Sequence, residues 1–308
     1  MRRPLYAALT VGTAAILTTA VLATPAAAEP PPSPNNAFVN AAAGTVTFQA
    51  GTSRTNRLTV SNVSFNKIKF TELGGVVPGT GCVAGATNKE AICTVGSFSD
   101  LTLIINLGSL GDTFNTVGSP LVDDTIIDAG SGNDTIDFGT ANGYEAVVYG
   151  GLGADTLTAA TSSASYLRLY GQGGADVICG GSLTFAQYQG TAAGVNVTMD
   201  DVANDGLPGE ADNVCSTMRG VTGSAYNDVL VGSAGANSLG GFDGNDSISG
   251  LAGNDDVYGD WGNDYLLGGD GDDFVYGSDG VDLQDGGAGT DECPADIDDL
   301  PALNCELS

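Results

Sequence analysis

Aspartate and glycine recur at a fixed spacing through the last third of the chain. From Gly223 to Pro294 the sequence consists of eight nine-residue units without a break in phase. Position 1 is Gly in all eight units, position 4 is Gly in seven, position 6 is Asp in seven and position 8 is aliphatic in six. A short carboxylate is a hard oxygen ligand, and glycine allows backbone carbonyls to turn towards a common point. The spacing therefore predicts a series of sites for a hard cation such as Ca²⁺.

The same unit recurs upstream at wider intervals. AGSGNDTID ends at Asp137, GGLGADTLT ends at Thr158 and GQGGADVIC ends at Cys179. The position-6 aspartates of these units are evenly spaced, at an interval wider than two nonapeptides: Asp134, Asp155 and Asp176. Apolar strands at 145–149 and 166–170 lie between them and share that spacing. We therefore expect one solenoid with turns of about 21 residues at first and about 18 residues later.

These residues need a scaffold of loops and short strands. Each unit supplies a loop and then a three-residue strand whose position-8 side chain points inwards, so two units complete one turn. Loops two units apart stack on the same side, and we expect positive φ angles at the glycines of positions 1 and 4. One row of stacked loops contains Asp228, Asp246, Asp264 and Asp282, and the other contains Asn237, Asp255, Asp273 and Asp291.

Without a cation, the stacked aspartates repel one another. Adjacent strands lie about 4.8 Å apart, and two unscreened charges at that distance repel by roughly 1 kcal/mol even in water. We therefore expect the repeat block to be largely unfolded without the ion, so that calcium binding supplies folding free energy. Mg²⁺ fits less well because it demands tight octahedral geometry.

The glycines, the aspartates and their nine-residue phase resemble the RTX, or haemolysin-type, calcium-binding repeat. The match is close over residues 223–294 and sparser over 129–179, and the acidic stretch and the cysteine-containing end are similar to those of secreted actinobacterial members. The resemblance implies an all-β fold, a right-handed parallel β-roll or β-solenoid, with several calcium ions as the cofactor. It implies these position-6 metal ligands: Asp134, Asp155, Asp176, Asp228, Asp246, Asp255, Asp264, Asp273, Asp282 and Asp291.

Several residues depart from the repeat. Asn237 replaces Asp, Tyr226 replaces a loop Gly, and Val281 is unusual in the loop. Gln284 occupies a position where an apolar residue belongs. We expect these departures to weaken individual sites and the coil to fray near Gln284.

The acidic balance excludes several classes of function. The 308 residues include 37 Asp and Glu, 9 Lys and Arg and no His, which gives a net charge of −28. Nucleic acids and anionic membranes need clustered basic side chains, so we predict neither as a partner. Without His, a Ser-His-Asp triad and a His-ligated zinc site are excluded. We predict calcium ions as the partner, no catalytic residues, a monomer, and an unidentified glycan or cell-surface molecule as a possible further partner.

The N-terminus and the cysteines predict export. Residues 1–28 contain Arg2, Arg3, a largely apolar stretch and an Ala-rich cleavage site, as a secretory signal peptide does. Six cysteines allow many connectivities, and proximity along the chain favours the pairs Cys82–Cys93, Cys179–Cys215 and Cys293–Cys305. We expect the mature protein to be secreted and extracellular, where disulfides persist.

Composition divides the chain into further segments. A Pro-rich linker at 29–36 precedes a small N-terminal β domain at 37–118, irregular calcium-binding solenoid turns at 119–187, an acidic insertion at 188–222, the eight repeats at 223–294 and a disulfide-capped C-terminus at 295–308. The boundary near 118 rests on charge, because five of the Lys and Arg residues lie within 37–118.

Some clusters allow a second interpretation. Asp201, Asp205, Gly206 and Asp212 have the order of an EF-hand loop, but Ala203 stands at a ligand position and no helices flank it. The sequence still allows a less regular calcium-stabilised loop in this segment.

The aromatic residues Trp261, Tyr258, Tyr265 and Tyr276 could form a sugar-stacking surface, although a simple cover over the coil is the preferred interpretation. Glu145 and Arg168 on adjacent turns indicate a surface ion pair rather than a catalytic pair.

The pattern favours a secreted calcium-binding protein whose repeats fold when they meet calcium. The alternative is a calcium-stabilised adhesin or a cell-wall or polysaccharide-binding module, with residues 37–118 as its head. A polysaccharide-active enzyme is less favoured. Carboxylate pairs can cleave glycosides, but there is no His and no basic residue after Arg219.

Overall fold

The fold is described from a computed structural model. It describes residues 34–40, 44–51, 54–64, 66–95, 101–117, 124–139, 142–160, 164–294 and 299–306. These residues all fall in one compact unit, Pro32–Ser308. They contain no helix, and therefore none that is long and apolar enough to cross a membrane. The predicted signal peptide at 1–28 and most of the linker at 29–36 lie outside the described residues.

The N-terminal end combines antiparallel hairpins with the first strands of a coil. Its strands are β1 (Asn35–Asn40), β2 (Thr45–Gln49), β3 (Arg57–Ser64), β4 (Lys67–Glu72), β5 (Val76–Pro78), β6 (Cys82–Ala84) and β7 (Glu90–Thr94). β1 pairs antiparallel with β2, and β4 pairs antiparallel with both β3 and β7. Alternating apolar residues such as Val46, Phe48, Ile68 and Phe70 are fully buried, as a half-covered sheet requires.

From residue 101 onwards the strands of the coil pair in parallel. The early strands are β8 (Thr102–Asn106), β9 (Thr113–Val117), β10 (Asp124–Asp128), β11 (Thr135–Asp137), β12 (Asn142–Leu152), β13 (Thr156–Thr158), β14 (Ala164–Gly173), β15 (Val177–Cys179), β16 (Thr184–Gln187), β17 (Asn196–Thr198), β18 (Asn213–Val214) and β19 (Gly220–Thr222). The nonapeptide block adds β20 (Val229–Val231), β21 (Ser238–Asp243), β22 (Ser247–Ala252), β23 (Asp256–Trp261), β24 (Tyr265–Asp270), β25 (Phe274–Asp279) and β26 (Leu283–Ala288).

Three sheets form the faces of this solenoid. The first has the order β25-β23-β21-β19-β16-β14-β12-β10-β8-β2-β1-β5 and runs from one end of the coil to the other. The second, β18-β15-β13-β11-β9-β3-β4-β7-β6, serves the early turns, and the third, β17-β20-β22-β24-β26, serves the late turns. The all-β parallel solenoid predicted from the repeats is therefore confirmed.

The strand register confirms the longer early turn and the shorter late turn. In the β12–β14 pair Val148 lies beside Leu169, whereas in the β22–β24 pair Ile248 lies beside Leu266. Two nonapeptides therefore complete one late turn, and their position-8 side chains stack inside the coil. The buried position-8 residues are Leu230, Leu239, Ile248, Val257, Leu266 and Val275.

The sheets run through the expected boundary at residue 118 without a break, so residues 37–118 do not form a separate domain. β8 pairs with β10, and β9 pairs with β11, as successive turns of the coil. β2 and β3 lie parallel to β8 and β9, and their hairpin partners extend the same sheets. The open end of a parallel coil exposes unpaired strand edges. At the N-terminal end of this coil the antiparallel hairpins cover those edges.

The acidic stretch at 188–222 also belongs to the coil. It contributes β17 to the third sheet, β18 to the second and β19 to the first. The second sheet ends at β18 and the third begins at β17. This segment is therefore the place where the coil changes from the longer turn to the shorter one.

The prediction that the coil frays near Gln284 is wrong. The Gln284 side chain is fully buried in β26, which pairs with β24 along its whole length. Its Nε2 donates a hydrogen bond to Asp299 Oδ2 at 3.1 Å, the backbone carbonyl of Gln284 accepts one from Leu303 N–H at 2.9 Å, and the side-chain Oε1 is buried without a protein partner. The segment 299–306 folds over the last turn and supplies the polar partner that a buried amide needs.

The three predicted disulfides are confirmed. Cys82–Cys93 joins β6 to β7, Cys179–Cys215 joins β15 to the acidic stretch, and Cys293–Cys305 holds the C-terminal segment against the last repeat. Two of them therefore lie at the two ends of the coil, and the third lies where its turn length changes.

Candidate calcium sites

The position-6 aspartates form three ladders along the coil. In the first ladder (Asp112, Asp134, Asp155, Asp176) each backbone N–H donates a hydrogen bond to Oδ1 of the next aspartate, at 2.6–2.8 Å. The second ladder (Asp228, Asp246, Asp264, Asp282) repeats this at 2.8 Å. The third ladder (Asn237, Asp255, Asp273, Asp291) does so at 2.7–2.9 Å. The two predicted rows of the nonapeptide block are therefore the second and third ladders.

The other carboxylate oxygen of most ladder residues has no protein partner. Within the described part of the chain, Oδ2 is buried and accepts no hydrogen bond in Asp112, Asp134, Asp155, Asp176, Asp246, Asp255, Asp264, Asp273, Asp282 and Asp291. A buried charged oxygen without a partner is costly, so native structures pair it or bind it to a metal. These oxygens mark the positions where a cation is needed.

The position-1 glycines leave space beside these oxygens. A Cβ added to Gly241 would overlap Asp246 Oδ2 and would lie 2.7 Å from the carbonyl oxygen of Gly259. Gly250 has the same relation to Asp255 and to the Gly268 carbonyl, at 2.6 Å. Each cradle therefore joins an unpartnered carboxylate oxygen to the glycine carbonyl of the following turn, which is the hard oxygen chemistry that Ca²⁺ prefers.

The two glycine positions act for different reasons, which corrects the expectation of positive φ at both. Position 4 has positive φ in six of the eight units, between 118° at Gly253 and 155° at Gly280. Position 1 has no positive φ in any unit, and it excludes a side chain because of the cradle. Positive φ also occurs at position 2, where Phe242 (87°) and Leu251 (75°) adopt a conformation that suits glycine better.

Carboxylates alone cannot complete a site. Among the described residues, no group of three or more Asp, Glu or Cys side chains is close enough to hold a metal ion. Ca²⁺ takes six to eight oxygen ligands, so backbone carbonyls must supply most of them. The glycine-rich loops fit this requirement because the position-1 glycines are left out of the strand pairing. Between β21 and β23, for example, Gly240 pairs with Tyr258 and Phe242 pairs with Asp260, but Gly241 and Gly259 do not pair.

Burial raises the pKa of the ladder carboxyl groups. The pKa of Asp112, Asp176 and Asp246 rises to about 7, and that of Asp134, Asp255 and Asp282 rises to about 6. Loss of hydration is the largest cause, neighbouring aspartates of the ladder add to it, and the N–H donated to Oδ1 opposes it. In the folded coil, each of these carboxylates is therefore stabilised by binding a proton or a cation.

Asp228 is the exception among the predicted ligands. Its Oδ2 accepts the N–H of Ser224 at 2.6 Å, and its Oδ1 accepts the N–H of Val195 at 2.7 Å. Asn237 resembles it, because its Oδ1 accepts the N–H of Ser233 at 2.6 Å. These two residues begin their ladders, and protein donors bind the kind of oxygen that is unpartnered further along.

One ladder residue was missed from the sequence. Asp112 lies in the unit LGSLGDTFN, residues 107–115, where Leu110 replaces the position-4 glycine yet keeps a positive φ of 74°. Its Oδ1 accepts the N–H of Asn56 at 2.6 Å, and its Oδ2 is unpartnered. The signal in the sequence was its place one long turn before Asp134.

Each ladder ends on an acid from outside the repeats. Asp212 accepts the N–H of Asp176 at 2.9 Å, Asp299 accepts that of Asp282 at 3.2 Å and Glu306 accepts that of Asp291 at 2.9 Å. Nothing in the spacing identified these residues, because the chain distance to each partner differs from either turn length.

The carboxylates of the acidic stretch already have protein partners. Asp205 accepts hydrogen bonds from Thr198 N–H and Val214 N–H, at 2.7 and 2.8 Å. Asp212 also accepts the Tyr188 hydroxyl at 3.1 Å, and Asp201 accepts both donors of Ser216. This arrangement disfavours an EF-hand-like site, since the oxygens serve to hold the segment in place.

The structure separates the four aromatic residues that were grouped from the sequence. Tyr258 and Tyr276 are neighbours on the first sheet, with Phe274 beside both at 5.7 and 6.3 Å between ring centres. Tyr265 lies on the third sheet, and Trp261 is the last residue of β23, where its side chain is exposed. The surface pair of Arg168 with Glu145 is confirmed.

Comparison with known families decides which repeat this is. Four segments match the RTX calcium-binding nonapeptide repeat: residues 123–144, 168–182, 222–257 and 258–293. The chain carries RTX calcium-binding repeats. These repeats bind calcium, and four matched copies indicate several ions. A search of curated proteins found no match. The RTX repeat is defined by calcium binding rather than by a reaction. The matched segments do not include the units that contain Asp112 and Asp155.

Proposed function

We propose that this RTX repeat protein is a secreted calcium-binding protein whose nonapeptide turns fold when they bind calcium outside the cell. One observation carries the proposal: most ladder aspartates bury a carboxylate oxygen that has no protein partner, beside a glycine carbonyl. An ionised coil without cations would contain these unpaired charges in stacked rows, at a cost that each pair of neighbours increases.

The ligands we propose are the aspartates with an unpartnered oxygen. They comprise nine of the ten predicted from the sequence, together with Asp112. Ca²⁺ bound between successive loops would supply the positive charge, and the chain's own residues would orient it through Oδ2 and the glycine carbonyls. We propose a smaller part for Asp228, because Ser224 and Val195 already occupy its oxygens.

The compartment is supported by two features of the chain. The Arg-containing apolar leader at 1–28 is typical of a secretory signal peptide. All six cysteines are paired in disulfides, which persist in oxidising environments. Mass spectrometry of protein from a culture supernatant tests this part: cleavage before Glu29 is expected, and retention of the intact leader in the cell would contradict it.

Circular dichroism with calcium titration tests the folding claim. We expect the mature protein in chelator to gain β signal as calcium is added, and to gain much less with the same concentration of Mg²⁺. An unchanged spectrum and melting temperature on calcium addition would overturn the proposal.

A matched pair of variants tests the ligands. Asp264→Asn removes charge from a buried ladder residue, whereas Asp270→Asn removes the same charge from an exposed loop residue. We expect the calcium midpoint to rise about tenfold for Asp264→Asn, the loss of roughly one charged ligand interaction. Asp270→Asn should leave it within twofold of the parent. Equal shifts in the two variants would mean that total charge, not the ladder, controls folding.

A further inference from the structure

One edge of the nonapeptide coil exposes large apolar side chains. This edge, the aromatic edge, consists of the stacked loops 223–228, 241–246, 259–264 and 277–282. Each loop contributes one such side chain, exposed by 39–63%: Tyr226, Phe242, Trp261 and Val281. Successive turns are one strand spacing apart, so the row extends over about 14 Å.

The opposite edge is different although it has the same repeat. Its loops, 232–237, 250–255, 268–273 and 286–291, have Leu251 as the one large apolar side chain exposed among the described residues. Its other exposed positions are Ala, Gly, Thr, Asn and Asp. Because both edges build the same ladder, folding does not account for the large apolar residues of one edge, which stand at positions 4, 2, 3 and 5 of their units. Exposed apolar side chains gathered on neighbouring loops mark interaction sites.

Polar groups of both kinds lie between the aromatic side chains. Asp243 and Asp279 flank Trp261 in register and offer carboxylate acceptors. Asn227, Asn245 and Asn263 are exposed, and the Oδ1 of each accepts an N–H from the next turn at 2.8–2.9 Å. That bond leaves the amide Nδ2 as a donor towards solvent. The edge therefore presents ring faces, donors and acceptors in one row.

Charge narrows the ligands that this edge can take. No Lys or Arg follows Arg219, whose guanidinium is held by Asp256 at 2.7 Å and by the Ala236 carbonyl at 2.7 Å. This edge therefore offers no basic side chain that could pair with an anionic polymer. A cationic group would interact with the carboxylates and the rings but would offer no acceptor to the amide donors. A neutral polymer with hydroxyl groups and flat apolar ring faces could interact with the aromatic rings, the amide donors and the carboxylate acceptors together.

We propose that the aromatic edge binds a neutral polysaccharide along the stacked turns. Sugar rings lie against Tyr226, Phe242 and Trp261, and their hydroxyl groups bond to Asp243, Asp279 and the exposed asparagines. The proposal rests on the calcium-dependent folding proposed above, because the loops that present these side chains also contain Asp246, Asp264 and Asp282.

Trp261 provides the test, because it is the only tryptophan in the chain. Mature protein in millimolar calcium is titrated with a soluble neutral β-glucan and a neutral mannan, with polygalacturonate and polylysine as charged counterparts. We expect a saturable change in tryptophan emission with at least one neutral polymer, at an affinity that salt does not alter, and none with polygalacturonate.

A matched pair of variants locates the binding. Phe242→Ala is expected to weaken neutral-glycan affinity about tenfold by loss of one stacking contact. Leu251→Ala changes the same repeat position on the opposite edge and should leave affinity unchanged. Circular dichroism shows that each variant still folds with calcium, so a folding defect is not mistaken for lost binding.

The outcomes separate the two proposals. If calcium fails to fold the protein, the proposed function fails first. If the protein folds with calcium but neither neutral polymer changes the emission, the glycan proposal is overturned while calcium-dependent folding stands. Binding of polylysine alone, abolished by salt, would also overturn it and would assign a cationic partner to this edge.

Discussion

The early turns (residues 101–179) and the nonapeptide turns (223–294) build the same coil around different interiors. One early turn fully buries Leu103, Ile105, Leu107 and Phe114, whereas one late turn buries little more than Ile248 and Val257. Each such side chain contributes about 1.5–3 kcal/mol when buried, so this early turn gains roughly twice the apolar stabilisation of the late one. Both regions have unpartnered ladder oxygens. We infer that calcium assists the early turns and is indispensable to the late ones.

Calcium removal should give the largest difference between the two regions. Hydrogen–deuterium exchange measured by mass spectrometry, with chelator and with calcium, reports protection along the chain. In chelator we expect peptides from 223–294 to exchange fully, while peptides from 101–117 and 145–160 remain protected. Loss of protection in both regions together would show that the whole solenoid is a single calcium-dependent unit.

Core truncations should separate the regions by several kcal/mol. Phe114→Ala removes a fully buried ring and should lower the free energy of unfolding by about 3–5 kcal/mol, with or without calcium. Leu266→Ala in a late turn should cost about 2–5 kcal/mol in calcium and nothing in chelator, where that turn is already unfolded. Urea unfolding under both conditions gives these values, and an effect of Leu266→Ala in chelator would count against the distinction.

The pH should change the late turns in opposite directions with and without calcium. The pKa of Asp246 is raised to about 7, and the pKa of Asp255 and Asp282 is raised to about 6, first by burial. A carboxyl group with a higher pKa in the folded than in the unfolded state stabilises the fold as pH falls. In chelator, we therefore expect β signal in circular dichroism to increase from pH 8 towards pH 5, and to be lost as pH rises through 7.

In calcium the sign reverses, because the ligand must be the deprotonated carboxylate. Because an unfolded Asp has a pKa of about 3.9, the calcium concentration at the folding midpoint should increase as pH falls below about 5, where protons bind the unfolded chain and compete with calcium. A midpoint that stays constant as pH falls from about 6 to about 4 would mean that the ladder carboxylates do not hold the ion.

The smallest effect concerns the strained loop positions. Leu251 in the late turns and Gln172 in the early turns both adopt positive φ at position 2, at 75° and 73°. The left-handed region costs a residue other than glycine roughly 1–2 kcal/mol, and glycine occupies this position at Gly269 and Gly287. Leu251→Gly should therefore raise the melting temperature in calcium by a few degrees, and Gln172→Gly should raise it also without calcium. A decrease for either variant would show that its side chain contributes more than its strain.

Much of the fold and of the ladder was predictable from the sequence. The nine-residue phase assigned Asp246, Asp255 and Asp264 to stacked rows, because period alone dictates which loops face the same way. Asp112 was missed because its loop has Leu110 where the pattern requires glycine, although it lies one long turn before Asp134. Periodicity also missed the terminal acids Asp299 and Glu306, because these reach their ladders through a chain path of irregular length.

The misjudged positions share a physical cause. Gln284 looked unsuitable for a core, and the coil was expected to fray there, but Asp299 from a distant segment pairs with its amide. The position-1 glycines were assigned to backbone strain, whereas the structure shows a steric and ligand role, since Asp246 Oδ2 fills the space of the missing side chain at Gly241. In both cases contacts that form only in the folded coil decide the outcome, since Asp299 lies outside the repeats and the Gly259 carbonyl, one turn away, completes the Gly241 cradle.

By itself, the sequence determined the repeat, the two turn lengths, most of the ladder residues and the ion that suits them. All of these follow from local spacing and the chemistry of Asp and Gly. Only the tertiary structure decided which carboxylate oxygens are satisfied by protein donors, how the acidic stretch shifts the coil from one sheet to another, and which exposed side chains share an edge. Those properties depend on contacts between turns, where residues a full turn apart along the chain become neighbours.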